Sequence, residues 1–191
     1  MTGRPIRTAL TVAVSLLFFG APRASAQSAG DVSAVASAKA DAAAARRLVG
    51  MWRLVDRTVS FADGTSRPDP RTTAYIFYSD TGMTCYIAMD PTRTAWKSET
   101  TPTPEEAVAS IAGLGAYCGT FRVNAKEGSV VHHMEIERIP NLIGRDRKRW
   151  FTFQDANHLI LKVDPSEFRA PVVERKLLWE RVPVRPELAG R

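Results

Sequence analysis

Thr73-Ala74-Tyr75-Ile76-Phe77-Tyr78 opens the stretch that decides the fold. Its β-branched and aromatic side chains suit a pleated, half-buried surface, so it reads as a strand. Ser79-Asp80-Thr81-Gly82 is a tight turn, and residues 83–89 return as the hairpin partner. The same period of two runs outward in both directions. Upstream, residues 51–61 read as a strand, followed by the turn signal Ala62-Asp63-Gly64-Thr65 and an irregular stretch at Pro68-Asp69-Pro70. Downstream, strands fit residues 119–123, 129–136, 148–153, 158–163 and 173–182, with turn residues between them. One helix interrupts the series. Thr103-Pro104-Glu105-Glu106 is a capping box with proline at the first helical position, and Ala107, Ile111 and Leu114 follow at helical spacing. Eight strands at hairpin spacing with one short inserted helix predict an all-β fold, an antiparallel up-and-down barrel without exposed edges. A two-sheet sandwich is the structural alternative. A barrel of this size is just wide enough to hold one small ligand.

The 191 residues are 45% hydrophobic, 8% aromatic and 24% charged, which excludes collagen-like, coiled-coil and fully disordered chains. The N-terminus reads as an export signal. Arg4 and Arg7 form a positive start, residues 8–20 are uncharged and apolar, and Ala24-Ser25-Ala26 offers small residues to a signal peptidase. That apolar run is about 13 residues, whereas spanning a bilayer takes ~20, so no stable membrane insertion is expected. Cleavage after Ala26 would leave 191 − 26 = 165 residues, periplasmic or secreted. Removing Arg4, Arg7 and Arg23 leaves 26 − 3 = 23 basic against 20 acidic residues, a balance of +3 that is no nucleic-acid footprint. Residues 27–46, rich in alanine and serine, read as a mobile and partly helical spacer before a domain over 47–183 and a tail over 184–191. In an oxidising compartment Cys85 and Cys118 suggest one disulfide, with two buried thiols as the alternative.

Several pieces together resemble one family. They are Leu48-Val49-Gly50-Met51-Trp52, the hairpin through Tyr75, Tyr78, Gly82 and Met83, and Thr103-Pro104-Glu105-Glu106. Tyr117, Gly119-Thr120-Phe121, His132-His133 with Glu135, and Pro140-Asn141 complete the set. From Leu48 to about Val182 the chain is similar to the bacterial and fungal lipocalin-like domain family. The resemblance implies a small antiparallel barrel and no particular reaction, and Cys85 and Cys118 lie outside its general pattern. Lipocalins commonly stack an arginine of the last strand on the tryptophan of the first. By that resemblance Arg181 pairs with Trp52 as a structural closure of one barrel end.

Alternation along residues 129–136 sets Val130, His132, Met134 and Ile136 on one face and Val131, His133 and Glu135 on the other. His132 is therefore the inward candidate, able to bind a ligand's polar group or to act as an acid or base. The ordinary alternative is a hydrogen-bonded core histidine. Because His132 and His133 face opposite sides, they cannot jointly chelate a metal, and neither metal nor cofactor is expected. Tyr75, Tyr86, Trp96, Tyr117 and Trp150 are candidate ligand-binding residues beside His132, with Trp96 on a lid formed by the polar loop 90–103. The basic run Arg145-Asp146-Arg147-Lys148-Arg149 reads as a solvated rim, with an anionic-ligand clamp as the alternative. No G-x-S-x-G, H-E-x-x-H or phosphate-binding loop is present. The leading expectation is an interior site for a small hydrophobic or aromatic molecule. The alternatives are a small-molecule enzyme (isomerase, cyclase or hydrolase) using His132, and a structural envelope accessory protein without ligand. A cavity with few polar groups would mark the binder, His132 beside a tyrosine inside it the enzyme, and a filled interior the accessory protein.

Overall fold

The computed structural model describes residues 29–69 and 72–188, so the export signal and its cleavage point lie outside the described residues. The chain forms helix α1 (Ala29–Leu48), then strands β1 (Gly50–Phe61), β2 (Ser66–Pro68), β3 (Thr73–Tyr78) and β4 (Met83–Met89). Helix α2 (Pro104–Ala112) leads into β5 (Leu114–Asn124), β6 (Ser129–Glu137), β7 (Asp146–Phe153), β8 (His158–Val163) and β9 (Val172–Arg181). The order is β2-β1-β3-β4-β5-β6-β7-β8-β9, every observed pairing is antiparallel, and β1 also pairs with β9. That last ladder closes an eight-stranded barrel and leaves β2 as one extra strand on β1. Residues 66–68 form this short strand despite Pro68, because a proline is tolerated at a sheet edge, where its missing N–H breaks no ladder.

The helical spacing over-reaches at its end. Leu114 shares a helical face with Ala107 and Ile111, yet it pairs with Met89 as the first residue of β5, and α2 stops at Ala112. Sheet pairing outweighs one more helical residue there. The capping box is present, with the Glu106 N–H donating to Thr103 Oγ1 and the Thr103 N–H donating to Glu106 Oε2. Residues 29–48 form a continuous helix whose C-terminal end meets the barrel. Leu48 is fully buried, Arg47 lies 3.9 Å from the centre of the Phe153 ring, and Asp41 accepts from the Ala125 N–H.

One end of the barrel is closed by Trp52 and Arg181 under the end of α1. Trp52 is fully buried and donates its indole N–H to Leu48 O at 2.7 Å. Arg181, opposite it in register, lies 4.0 Å from its ring centre. The guanidinium donates to the carbonyls of Val49, Arg47 and Ala156, tying α1 and the β7–β8 turn to the last strand. Gly50 sits beneath it at φ +125°, where a Cβ would stand 2.7 Å from Arg181 Nη1.

Strand β6 departs from simple alternation. The ladder to β5 pairs Cys118 with Ile136 and Gly119 with Met134, so Glu135 is an extra residue, a β-bulge. Val130, His132 and Met134 are buried inside as the alternation predicts, but Ile136 is turned out to 68% exposure. Glu137 turns inward in its place, its side chain 3% exposed. Cys85 and Cys118 are register partners on β4 and β5 and form a disulfide.

Candidate functional site

Toward the other end the barrel interior opens into a cavity of about 210 Å³. Its walls are Ile76, Tyr86, Tyr117, His132, Leu161, Val163, Leu177 and Trp179, supplied by β3 to β6, β8 and β9. Tyr86 and Tyr117 are stacked at 5.2 Å, and Trp179 meets the Tyr86 ring edge to face at 6.3 Å. The remaining lining is charged: Arg57 from β1, Arg147 and Arg149 from β7, Arg175 from β9, and Glu167 from the turn after β8.

At its inner end His132 is fully buried between two phenols. Tyr78 Oη lies 2.9 Å from Nε2 and Tyr117 Oη lies 2.8 Å from Nδ1. Burial, reinforced by Arg149 and Arg147, holds the imidazole pKa down to about 3, so the ring is neutral at ordinary pH. Burial likewise pushes the Tyr78 and Tyr117 hydroxyls above their ordinary value. A neutral imidazole has one N–H and one lone pair. One phenol therefore donates to the ring, while the other accepts from it and keeps its own O–H proton for a further partner.

The charged end is largely self-neutralised. Arg149 makes a two-pronged pair with Glu167, and Arg147 lies 3.7 Å from Glu167 and 3.5 Å from the inward Glu137. Arg57 pairs with Asp69. Arg175 has no ion-pair partner among the described residues and lies over the Phe168 ring at 5.5 Å. Burial and neighbouring Arg57 hold its guanidinium below the ordinary value. Three buried donors on residues that line the cavity have no acceptor among the described residues: Nε of Arg57, Nε of Arg175 and the indole N–H of Trp179.

Of the residues proposed from sequence, the structure brings His132, Tyr86 and Tyr117 together inside the barrel. It places the other three elsewhere. Tyr75, offset by one from the inward Ala74 and Ile76, stands on the outer face. There it lines a separate apolar groove of about 590 Å³ with Met51, Phe77, Ile87, Ile111 and Ile136. Trp150 also faces outward, under Lys148 Nζ at 5.1 Å. Trp96 donates to Ser110 Oγ of α2 and is 39% exposed, so the loop 90–103 folds onto α2 and does not send its indole into the cavity. The four arginines, Glu167 and Trp179 were not singled out individually, yet for Arg147, Arg149, Arg175 and Trp179 the signal was present, whereas Arg57 faces inward only through the register shift between Leu54 and Asp56. Arg147 and Arg149 alternate with Phe151 and Phe153, and Arg175 with Leu177 and Trp179, so each sits on an inward-facing set. The rim reading of the basic run holds for the exposed Arg145 and Asp146 and the outward Lys148, not for Arg147 and Arg149.

The outer groove is larger but holds little polar chemistry, only Glu137 and Arg138 besides the rings of Tyr75, Tyr86 and Tyr117. The inner cavity combines enclosure, an aromatic wall and orphan donors, and is the stronger site. Among the described residues no cluster of His, Cys, Asp and Glu could hold a metal, and no helix is long and apolar enough to cross a membrane. A family model described as a lipocalin-like domain matches residues 49–182. No curated protein matches the chain.

Proposed function

Because the chain belongs to the lipocalin-like domain family, a ligand-binding barrel in general, we propose that it binds one small hydrophobic or aromatic molecule in its interior. The observation that carries this reading is the cavity of about 210 Å³ between the Tyr86–Tyr117–Trp179 wall and the aliphatic side of Leu161, Val163 and Leu177. Its size lies between an engineered hole of ~150 Å³ that takes up benzene and the ~300 Å³ of the smallest drug-sized pockets. One or two fused rings fit that interval. Export supports a periplasmic or extracellular ligand. It rests on the signal-like residues 1–26, and the Cys85–Cys118 bridge is compatible with an oxidising compartment.

A second reading is an enzyme acting on such a molecule, favoured by the Tyr78–His132–Tyr117 contacts. Against it, both ring nitrogens are engaged and the imidazole titrates only near 3, so it is a poor proton acceptor at neutral pH. The open interior speaks against an accessory barrel with a filled core.

Native mass spectrometry of gently purified protein tests the binder. The expected result is a reproducible small-molecule adduct that disappears in Val163→Trp, whose indole would fill the cavity. An empty wild-type protein that takes up no ring compound at millimolar concentration would overturn the reading. An adduct converted to product by wild type but not by His132→Asn would favour the enzyme.

A further inference from the structure

We propose that the molecule bound in the barrel is an anion, a small aromatic or cyclic carboxylate whose acid group is held at Arg57 and Arg175. This rests on the cavity being a ligand site and adds the chemical class of the ligand.

The first argument is charge. The cavity end gathers four guanidinium groups, from Arg57, Arg147, Arg149 and Arg175. Asp69, Glu137 and Glu167 are the carboxylates that pair with them, so the balance is 4 − 3 = +1. The uncompensated member is Arg175. Partly buried positive charge without a counter-ion is costly, and a bound carboxylate would supply the missing one.

The second argument is hydrogen bonding, and it is independent of net charge. On the residues that line the cavity the unsatisfied groups are all donors: Nε of Arg57, Nε of Arg175 and Nε1 of Trp179, a residue only 1% exposed. Glu137 Oε2, off the lining, is the one unsatisfied carboxylate oxygen among the described residues. Depending on the imidazole tautomer, the phenol O–H of Tyr117 adds a fourth. A neutral hydrocarbon would leave every one of these unpaired, at about 1–3 kcal/mol each. Water could satisfy some, but only a carboxylate brings several acceptor lone pairs and the opposite charge together.

The third argument is placement. Arg57 is the register partner of Leu177, and Val59 that of Arg175, so the two arginines are diagonal neighbours on one inner face. Arg175 lies on β9, the strand that carries Leu177 and Trp179 of the cavity wall, and Arg57 lies beside it on β1. A ligand would lay its ring on that wall with its acid end toward the arginines.

The test is a matched pair of probes, 2-naphthoate and its neutral isostere 2-naphthamide, titrated calorimetrically into the wild-type protein and into Arg175→Met. The expected result is that naphthoate binds at least tenfold more tightly than naphthamide. In Arg175→Met that preference should shrink to about twofold, and Arg175→Lys should recover part of it. Equal affinities of the two probes for wild type would overturn the anion assignment and leave the interior site standing. Binding of neither at millimolar concentration would overturn both. Should Arg175→Met fail to fold, the contrast between the probes on wild type still decides.

Discussion

His132 shows how a single residue's surroundings set its behaviour. In the folded barrel its pKa is about 3, against an ordinary 6.5. Below 6.5 the unfolded chain takes up a proton that the folded protein refuses until about pH 3. This contribution to stability is fully present above 6.5 and is lost as the pH falls, by about 1.4 kcal/mol per pH unit. Denaturant titrations at pH 7, 6 and 5 should show this loss in wild type and a slope shallower by about one proton in His132→Asn. Equal slopes would contradict the buried, neutral assignment. Arg181 acts by geometry instead, since its planar fork reaches three carbonyls from two segments while stacked on Trp52. Arg181→Met should cost about 2–3 kcal/mol by equilibrium unfolding. Arg181→Lys should recover less than half, because an ammonium cannot make the same fan of bonds. Both residues were legible in the sequence: His132 from alternation, Arg181 from the family resemblance. The proton state of His132 was not legible, because it depends on burial and on two phenols from other strands, one of them, Tyr78, 54 residues away.

At the scale of elements, the ladders between strands decide what alternation alone cannot. Most strands lie where the period of two puts them. β1 departs from it between Leu54 and Asp56, and β6 at the Glu135 bulge. That bulge depends on Gly119 across the ladder, where a Cβ would stand 1.8 Å from His133 O and 2.9 Å from Glu135 N. Neither strand read by itself shows that clash. Gly119→Ala should therefore displace the bulge and cost about 3 kcal/mol or more, read as a fall in the denaturation midpoint. An unchanged midpoint would mean that the bulge does not press on Gly119. The same shift turns Glu137 into the barrel beside Arg147, so a local irregularity changes the charge of the site. The Cys85–Cys118 bridge acts between elements too, closing a separation of 33 residues. Breaking it by Cys85→Ser with Cys118→Ser should remove about 3–4 kcal/mol in the chain-entropy picture, with little change in near-ultraviolet dichroism. Helix α1 was the least legible element, since its alanine-rich sequence offers few large apolar anchors. What docks it is Leu48, the Asp41 carboxylate and the Arg47–Phe153 contact, all tertiary.

At the scale of the whole molecule, barrel closure divides the interior into two halves of different character. One end is sealed by α1, Trp52 and Arg181. The other keeps a cavity in which an aromatic wall meets a set of arginines. The sequence made the wall visible as a class of residues and placed three of its aromatics wrongly, because Tyr75 and Trp150 fall on outward registers and Trp96 is captured by α2. That Arg57, Arg147, Arg149 and Arg175 meet inside the barrel was not legible, for a physical reason. A charged side chain on a strand is ordinarily a solvated one, and only closure of the barrel brings those from β1, β7 and β9 to a common interior.

Interior binding is the claim on which the rest depends, and the indole N–H signals test it most directly. Trp52 donates to Leu48 O and Trp96 to Ser110 Oγ, whereas Trp179 lines the cavity and its buried N–H has no acceptor among the described residues. In ¹H–¹⁵N spectra of the wild-type protein, assigned with Trp179→Phe, addition of 2-naphthoate should move the Trp179 indole signal strongly and leave those of Trp52 and Trp96 nearly in place. A saturable response confined to Met51, Ile87 and Ile136 on the outer groove, with Trp179 unmoved, would contradict an interior site.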